Sequence, residues 1–240
     1  MNRLTIARCA AACLLARSAV FADSAKAQPA PALPRLELSV GITGMSRGPA
    51  EGSERALTAM GFHEDFGNER MTQTRFDGFW KIEIGVGERR TIGILTTRVG
   101  NYTRGVREVP GQGSGSIGTH HSIVTRAITL SYRPNGWISF GAGPALHLRR
   151  FAIDAPYGPN VGVQSKRALG AVAGVNVKWK RNNGTFAHGF WQYRYAGSLS
   201  SNNVAVPLGL RNGAVDEAEW PATQIRFSHR MLGVGFGIEF

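Results

Sequence analysis

Hydrophobic positions alternate with small or polar ones along most of this chain, and the alternation is clearest at its C-terminal end. There the large side chains share one face of a strand: Leu232, Val234, Phe236, Ile238 and Phe240. Three glycines and Glu239 occupy the opposite face. A soluble core needs bulk on its inward face, so this pattern predicts that the large groups meet lipid. The segment has about the 9 to 11 residues that a tilted transmembrane β-strand requires.

The same period of two predicts eight strands along the chain. Their ranges are Leu36–Met45, Gly78–Gly87, Thr91–Asn101, Ser122–Tyr132, Trp137–Leu148, Ala168–Trp179, Thr185–Ala196, and the terminal Met231–Phe240 extended upstream to about Ile225. Pro144 lies within the fifth strand and has no N–H to donate to a ladder. We therefore expect a local bulge or kink there.

The predicted connections alternate between short and long. Three are tight turns rich in turn-forming residues: Gly87–Arg90, Arg133–Gly136 and Lys180–Gly184. Four are long links: Ser46–Asp77, Tyr102–His121, Arg149–Arg167 and Gly197–Thr223. Short periplasmic turns and long outer loops are the plan of a transmembrane barrel. The sequence therefore predicts an all-β fold, an eight-stranded antiparallel up-and-down transmembrane β-barrel with both chain ends on the periplasmic side.

Two segments of the long links have their own local patterns. Ser53–Gly61 predicts a short helix with Ser53 as its N-cap and Gly61 as its stop, resting on the barrel rim or in its mouth. Gly113–Gly118 matches the spacing of a dinucleotide-binding loop, but no βαβ unit follows it. We interpret it as a flexible loop tip.

The N-terminus predicts a secretory signal peptide over residues 1–27. Arg3 and Arg8 supply its positive region and Cys9–Ala16 its apolar core, with cleavage after Ala27 preferred to cleavage after Ala22. Residues 28–34 form a Pro-rich spacer, and 35–240 the barrel domain. Both cysteines fall inside the predicted leader, which leaves no disulfide or thiolate metal site in the mature chain. Lipid attachment at Cys13 is the alternative, but a short apolar run interrupted by Arg8 disfavours it.

Net charge narrows the choice of partners. The chain carries a formal charge of +12 at pH 7, and removing the leader leaves it strongly basic. The basic residues are scattered over loops and turns, and an exported protein seldom meets nucleic acid, so we expect none as a partner. The phosphates of outer-membrane lipids, lipopolysaccharide included, are the expected partners, and solubility alone is the alternative explanation.

The terminal strand resembles the closing strand of bacterial outer-membrane β-barrels, which ends in an aromatic residue. Over its mature length the chain resembles the family of small eight-stranded outer-membrane β-barrel proteins. The resemblance implies the outer membrane of a Gram-negative-type bacterium and the barrel assembly machinery as a partner. It also implies an assembly signal at Phe236, Ile238 and Phe240. We further expect a monomer without a cofactor.

An eight-stranded barrel is just wide enough for its own side chains, so the predicted lumen is closed and polar. Its inward polar residues should pair, because unpaired buried charges are costly. They are Glu37, Lys81, Glu83, Asn176, Lys178, His188, Gln192, Arg194 and Glu239. An ion path through this network is the alternative. Aromatic residues near the strand ends predict interfacial girdles formed by Trp80, Tyr132, Trp137, Trp179, Phe186 and Tyr195.

The sequence predicts no catalytic or metal-binding residues. The segment Tyr193–Asn202 resembles a region of the lipid A deacylases, but Ala196 stands where their histidine would precede Ser198. His121–Ser122 and Ser228–His229 are adjacent pairs that point to opposite strand faces. Neither His120–His121 nor His63-Glu64-Asp65 has a matching second pair of ligands elsewhere.

The predicted function is therefore a structural or surface-interaction role carried by the outer loops of the barrel. A lipid-modifying outer-membrane enzyme and a soluble exported ligand-binding β-barrel are the alternatives.

Overall fold

The computed structural model describes residues 35–46, 50–63, 72–109, 113–155, 160–180, 183–211 and 214–240. The predicted leader (1–27) and spacer (28–34) lie outside the described residues and stay predictions.

Within the described residues the chain forms thirteen strands and one helix. The strands are β1 (Leu36–Met45), β2 (Thr72–Arg75), β3 (Asp77–Gly85), β4 (Arg90–Val109), β5 (Gly113–Tyr132), β6 (Ile138–Asp154), β7 (Val161–Lys180), β8 (Thr185–Tyr195), β9 (Ser198–Ser201), β10 (Val204–Arg211), β11 (Ala214–Trp220), β12 (Thr223–Arg226) and β13 (His229–Glu239). The helix, α1, covers Glu51–Ala59.

Eight of the strands close into a ring of antiparallel neighbours in the order β1, β3, β4, β5, β6, β7, β8 and β13. β1 completes the ring because it pairs with β3 on one side and with β13 on the other. Leu36 and Phe240 exchange backbone hydrogen bonds of 3.2 and 2.9 Å, which brings the two ends of the barrel together. The predicted eight-stranded antiparallel barrel is confirmed.

The wall of the barrel is apolar outside and polar inside. Val40, Leu169 and Leu232 are 63%, 85% and 65% exposed, whereas Glu37 and Lys178 are each 3% exposed. Outward-facing large apolar side chains recur on all eight strands of the ring, and we call this surface the apolar belt. Such a surface is stable against lipid and unfavourable in water, so the barrel spans a membrane.

At the end opposite the tight turns, three of the four predicted long links are built largely of strand, and the prediction of loops in those three was wrong. β4 and β5 pair without a break from Arg90↔Tyr132 to Val109↔Gly113. β6 and β7 remain paired as far as Ile153↔Val161, and β9 to β12 form two further hairpin ladders. Ladder hydrogen bonds use the backbone, so segments rich in Gly, Ser and Thr pair as well as apolar ones. Gly113–Gly118 accordingly belongs to β5 and is not a flexible loop tip.

Helix α1 lies where the sequence predicts a helix, but its N-cap is not the predicted residue. Its N-cap is Ala50, and Ser53 is buried within the helix. Glu51 and Glu54 in the first turn stabilise this start because they oppose the positive end of the helix dipole. Gly61, at a φ of 81°, ends the segment as predicted. No helix among the described residues is long and apolar enough to cross a membrane.

Pro144 causes a local break in the ladder to β5 rather than a bulge: Ala127 pairs with Ala145 and Leu130 with Ala142, but the two positions between them are not paired. The register between β6 and β7 runs through Pro144↔Ala171 without a shift, and its irregularity lies instead between Phe151 and Ile153. On the other side, the ladder to β5 has the same register before and after Pro144. A Cβ on the preceding Gly143 would lie 1.8 Å from the Ile128 carbonyl oxygen, so this close approach requires glycine.

The apolar exterior leads to a direct test. Replacing Val234 with Arg should destabilise the barrel in phosphatidylcholine vesicles by about 2–4 kcal/mol, because the new charge would lie among lipid chains. Reversible urea unfolding in vesicles measures this loss. Ser200→Arg is the matched control, since Ser200 is exposed on β9, beyond the apolar belt. Equal stabilities of the two variants would contradict a lipid-facing Val234.

Candidate functional site

The periplasmic end of the lumen contains a network of ion pairs around two glutamates. Glu37 lies 3.0 Å from Arg133 and 2.8 Å from both Lys178 and Arg35. The Glu239 carboxylate contacts Arg35, Lys178 and Lys180 at 2.5 to 3.2 Å. Sequence reasoning missed Arg35 and Arg133, since they lie beyond the strand ends where alternation no longer predicts the facing.

The other predicted lumen residues form three separate contacts. Lys81 pairs with Glu83 at 2.9 Å, and Glu83 also accepts a hydrogen bond from Thr91 at 3.1 Å. His188 contacts Asn176 at 3.1 Å, and Arg194 donates to Gln192 at 3.0 Å. The structure therefore distributes the predicted polar residues over several levels of the lumen rather than bringing them all together.

Phe186 lies inside the barrel, so its assignment to the aromatic girdle was wrong. It is 5% exposed, and the Lys178 ammonium lies 3.8 Å from its ring centroid. The alternation that turns His188 and Phe190 inward also turns Phe186 inward. A Cβ on Gly237 would lie 2.3 Å from the Phe186 ring, so the glycine face of β13 makes room for it.

The outer end of the barrel is filled by an apolar core, which we call the outer plug. It comprises Leu57, Phe62, Ile117, Phe151, Trp220, Ile225 and Phe227. These residues are fully buried and come from α1, the segment after it and the extended strands. The sequence analysis missed the outer plug, because it treated most of these residues as parts of surface loops.

A buried hydrogen bond attaches α1 to the barrel wall. The Ser53 hydroxyl lies 2.8 Å from Nε2 of His121 on β5. Burial lowers the pKa of His121 to about 3, so its imidazole is neutral at physiological pH and can share a hydrogen bond with the hydroxyl. Sequence reasoning missed this pair because 68 residues separate its members.

The outer surface carries a band of arginines, the arginine collar, at the boundary where the apolar belt ends toward the outer side. Its members are the exposed Arg98, Arg126, Arg150, Arg167 and Arg230, on five strands of the ring. Arg98 lies 3.6 Å from Asp77. For the other four, no described carboxylate lies within ion-pair distance. Four of the five collar arginines therefore present positive charge without a described counter-charge.

Aromatic side chains mark the opposite, periplasmic boundary of the belt. Tyr132, Trp137 and Trp179 face outward beside the tight turns, together with Phe240. Trp80 is exposed on β3, and Tyr195 is half-buried at the outer end of β8. The proposed assembly-signal residues Phe236, Ile238 and Phe240 all face outward on the last strand and its end.

The structure does not assemble the Ser and His pairs of the sequence analysis into a catalytic site. Ser198 is exposed and accepts a hydrogen bond from Gln224, while Ala196 is buried. His121 and His229 turn inward, away from their sequence neighbours Ser122 and Ser228. His120 faces outward, 3.5 Å from Asp154. Among the described residues no three side chains of His, Cys, Asp or Glu group as metal ligands; Glu64 and Asp65 lie outside those residues.

No protein-family model and no curated protein matches this sequence. The solved structures to which the chain is similar include three bacterial outer-membrane proteins. Ail of Yersinia pestis, in complex with the heparin analogue sucrose octasulfate, has 10% identity and a TM-score of 0.44, covering 86% of this chain and 99% of that chain. OprG of Pseudomonas aeruginosa has 9% identity and a TM-score of 0.49, covering 86% and 96%. The protease OmpT of Escherichia coli has 11% identity and a TM-score of 0.39, and the match covers 90% of this chain and 99% of that chain.

The contact between Ser53 and His121 predicts how α1 is held. Ser53→Ala leaves the buried imidazole without its partner and should cost about 1–3 kcal/mol. We expect faster amide hydrogen exchange throughout α1, measured by mass spectrometry on the detergent-folded protein.

Thr58→Ala is the matched control, because the exposed Thr58 hydroxyl donates within α1, to the Glu54 carbonyl at 2.9 Å. Exchange in α1 that is equally fast in both variants would show that Ser53 does not anchor the helix.

Proposed function

We propose that this chain, an eight-stranded barrel of the outer-membrane type, acts at the cell surface through its extended outer hairpins and holds lipopolysaccharide at its arginine collar. The outer plug is the observation that carries the proposal. It gives the outer half of the barrel a packed core of its own, which a pore would lack. The extended strands thus form a rigid platform above the membrane, suited to contact with another molecule.

A closed lumen supports a surface role over conduction. At the periplasmic end, Arg133 and Lys178 cross the lumen to Glu37. At the outer end, α1 and Phe62 fill the mouth beneath Gly105, where a Cβ would lie 2.8 Å from the Phe62 side chain. The barrel is therefore filled at both ends by side chains that hold one another in place.

The arginine collar supports lipopolysaccharide as the bound lipid. Arg126, Arg150 and Arg167 lie on the adjacent strands β5, β6 and β7. Guanidinium groups bind phosphate oxygens through two parallel hydrogen bonds, and the phosphates of lipid A lie at the outer boundary of the apolar layer. The collar is therefore placed where one lipid A molecule could contact several arginines at once.

Replacing three collar arginines together tests this role. Arg126→Gln, Arg150→Gln and Arg167→Gln should each weaken binding by about 1 kcal/mol, which is more than a hundredfold for the triple variant. Titration of the detergent-folded barrel with lipopolysaccharide measures the affinity.

The matching triple variant Arg55→Gln, Arg89→Gln and Arg104→Gln is the control for that titration. These arginines are exposed but lie outside the belt boundary. An equal loss of affinity in both triple variants would show that the collar arginines attract lipopolysaccharide only as nonspecific positive charge. The lipid A acyl pattern of cells should be the same with and without the protein, and an altered pattern would identify an enzyme instead.

The last strand is proposed as the signal for the barrel assembly machinery, and the monomer as the functional unit. Every strand of the ring is paired on both sides, so the ring itself offers no free edge to a second copy. Phe240 is 69% exposed and available to a partner during assembly. Deleting Phe240 should lower the yield of heat-modifiable barrel in the outer-membrane fraction. Phe76→Ala is the control, because Phe76 is a similarly exposed aromatic that lies between β2 and β3. Unchanged yield after deletion of Phe240 would remove the signal role.

A further inference from the structure

The outer half of the lumen contains a cluster of buried cationic and imidazole side chains, which we call the cationic layer. Its members are Arg194, which is 0% exposed, with His147, His229 and Arg149, all buried. The layer lies between the ion-pair network at the periplasmic end and the outer plug.

Three strands of the ring, β6, β8 and β13, bring these side chains together. Arg194 on β8 reaches across the lumen and donates to the hydroxyl of Thr97 on β4, on the opposite wall. His229 on β13 lies directly beside Arg194 in the strand register. The His147 ring, on β6, stands over Gly170 of β7, where a Cβ would lie 2.9 Å from it. Arg194 is close enough to act electrostatically on both histidines.

The cationic layer differs from the rest of the lumen in having no negative partner. At the periplasmic end, Glu37 and Glu239 are each surrounded by cations. In the cationic layer, by contrast, no described carboxylate lies within ion-pair distance of Arg194 or Arg149. Arg194 is held by two neutral oxygens, those of Thr97 and Gln192, and Arg149 by the carbonyls of Ala196 and Ser198. A fully buried guanidinium without a counter-charge is unfavourable, so a bound anion would stabilise the layer.

Two donors of the layer also remain unused. Nε of Arg194 and Nε of Arg149 are buried without a hydrogen-bond partner among the described residues. Guanidinium N–H groups match the oxygens of a tetrahedral anion. The narrow lumen and the outer plug limit the size of any such guest.

We propose that the cationic layer is a binding site for a small inorganic oxyanion of the phosphate or sulfate class. The anion neutralises Arg194 and accepts hydrogen bonds from the free donors. The site is separate from the arginine collar, which faces lipid on the other side of the wall, and it does not depend on the proposed lipopolysaccharide binding.

The test uses the full mature protein, folded in a nonionic detergent and dialysed into buffer free of phosphate and sulfate. Equilibrium dialysis with radiolabelled phosphate, and separately with sulfate, should show saturable binding of one anion per barrel. Arg194→Met should weaken this binding at least tenfold. Arg104→Met is the matched control, because it removes the same charge from an exposed position on β4 outside the collar and the cationic layer, and it should bind as the original protein does.

Thermal unfolding supplies an independent readout. Phosphate or sulfate should raise the Tm of the original protein but leave that of Arg194→Met unchanged, and without anion the variant should be at least as stable. If Arg194→Met fails to give a heat-modifiable barrel, Arg149→Met replaces it, with the same expectation of at least tenfold weaker binding. The proposal is overturned if the folded original protein binds no anion saturably, or if the cationic-layer variant binds as tightly as Arg104→Met.

Discussion

Closure of the backbone ladder is the constraint on which the rest of this structure depends. Inside a bilayer no water is present to satisfy backbone N–H and C=O groups, so every strand needs a partner on both sides. β1 meets that condition by pairing with β3 and β13 at once, and Leu36 and Phe240 join the two ends of the ring. Once the ring is closed, alternate residues face lipid and lumen, so the sequence must supply apolar and polar residues in turn.

The lumen then has to fill itself, and it does so in layers of different chemistry. Buried ion pairs around Glu37 occupy the periplasmic end, aromatic rings including Phe186 and Phe190 lie next to them, and the cationic layer around Arg194 follows toward the outer plug. Glycines on the inward face of β13 accommodate the aromatic rings, as Gly237 does for Phe186. Because buried charges are stabilised only when paired, the paired periplasmic end is a structural feature, whereas the unpaired cations of Arg194 and Arg149 suggest a ligand.

Much of the membrane-spanning part could be predicted from sequence because alternation is forced there by lipid on one side. β1 was predicted with the bounds that the structure has, and the tight turn at Arg133–Gly136 follows from its Pro-Asn-Gly. Beyond the membrane that constraint ends, so the sequence of Tyr102–His121 alternates less clearly and predicts a loop where the structure has paired strands. Ser53 looked like a helix cap because its tertiary partner, His121, is distant in sequence. Arg35 and Arg133 were missed because no periodicity extends past the strand ends.

The central claim is that the barrel has its large apolar side chains toward lipid and a separate buried core above the membrane. Fluorescence quenching by lipids brominated on their acyl chains tests it most directly, with variants that keep a single tryptophan. Trp179 is half exposed on the outer face of β7, whereas Trp220 is fully buried in the outer plug and donates to Ser201. Brominated lipid should quench Trp179 strongly and leave Trp220 nearly unchanged. Strong quenching of Trp220 with none of Trp179 would contradict the account.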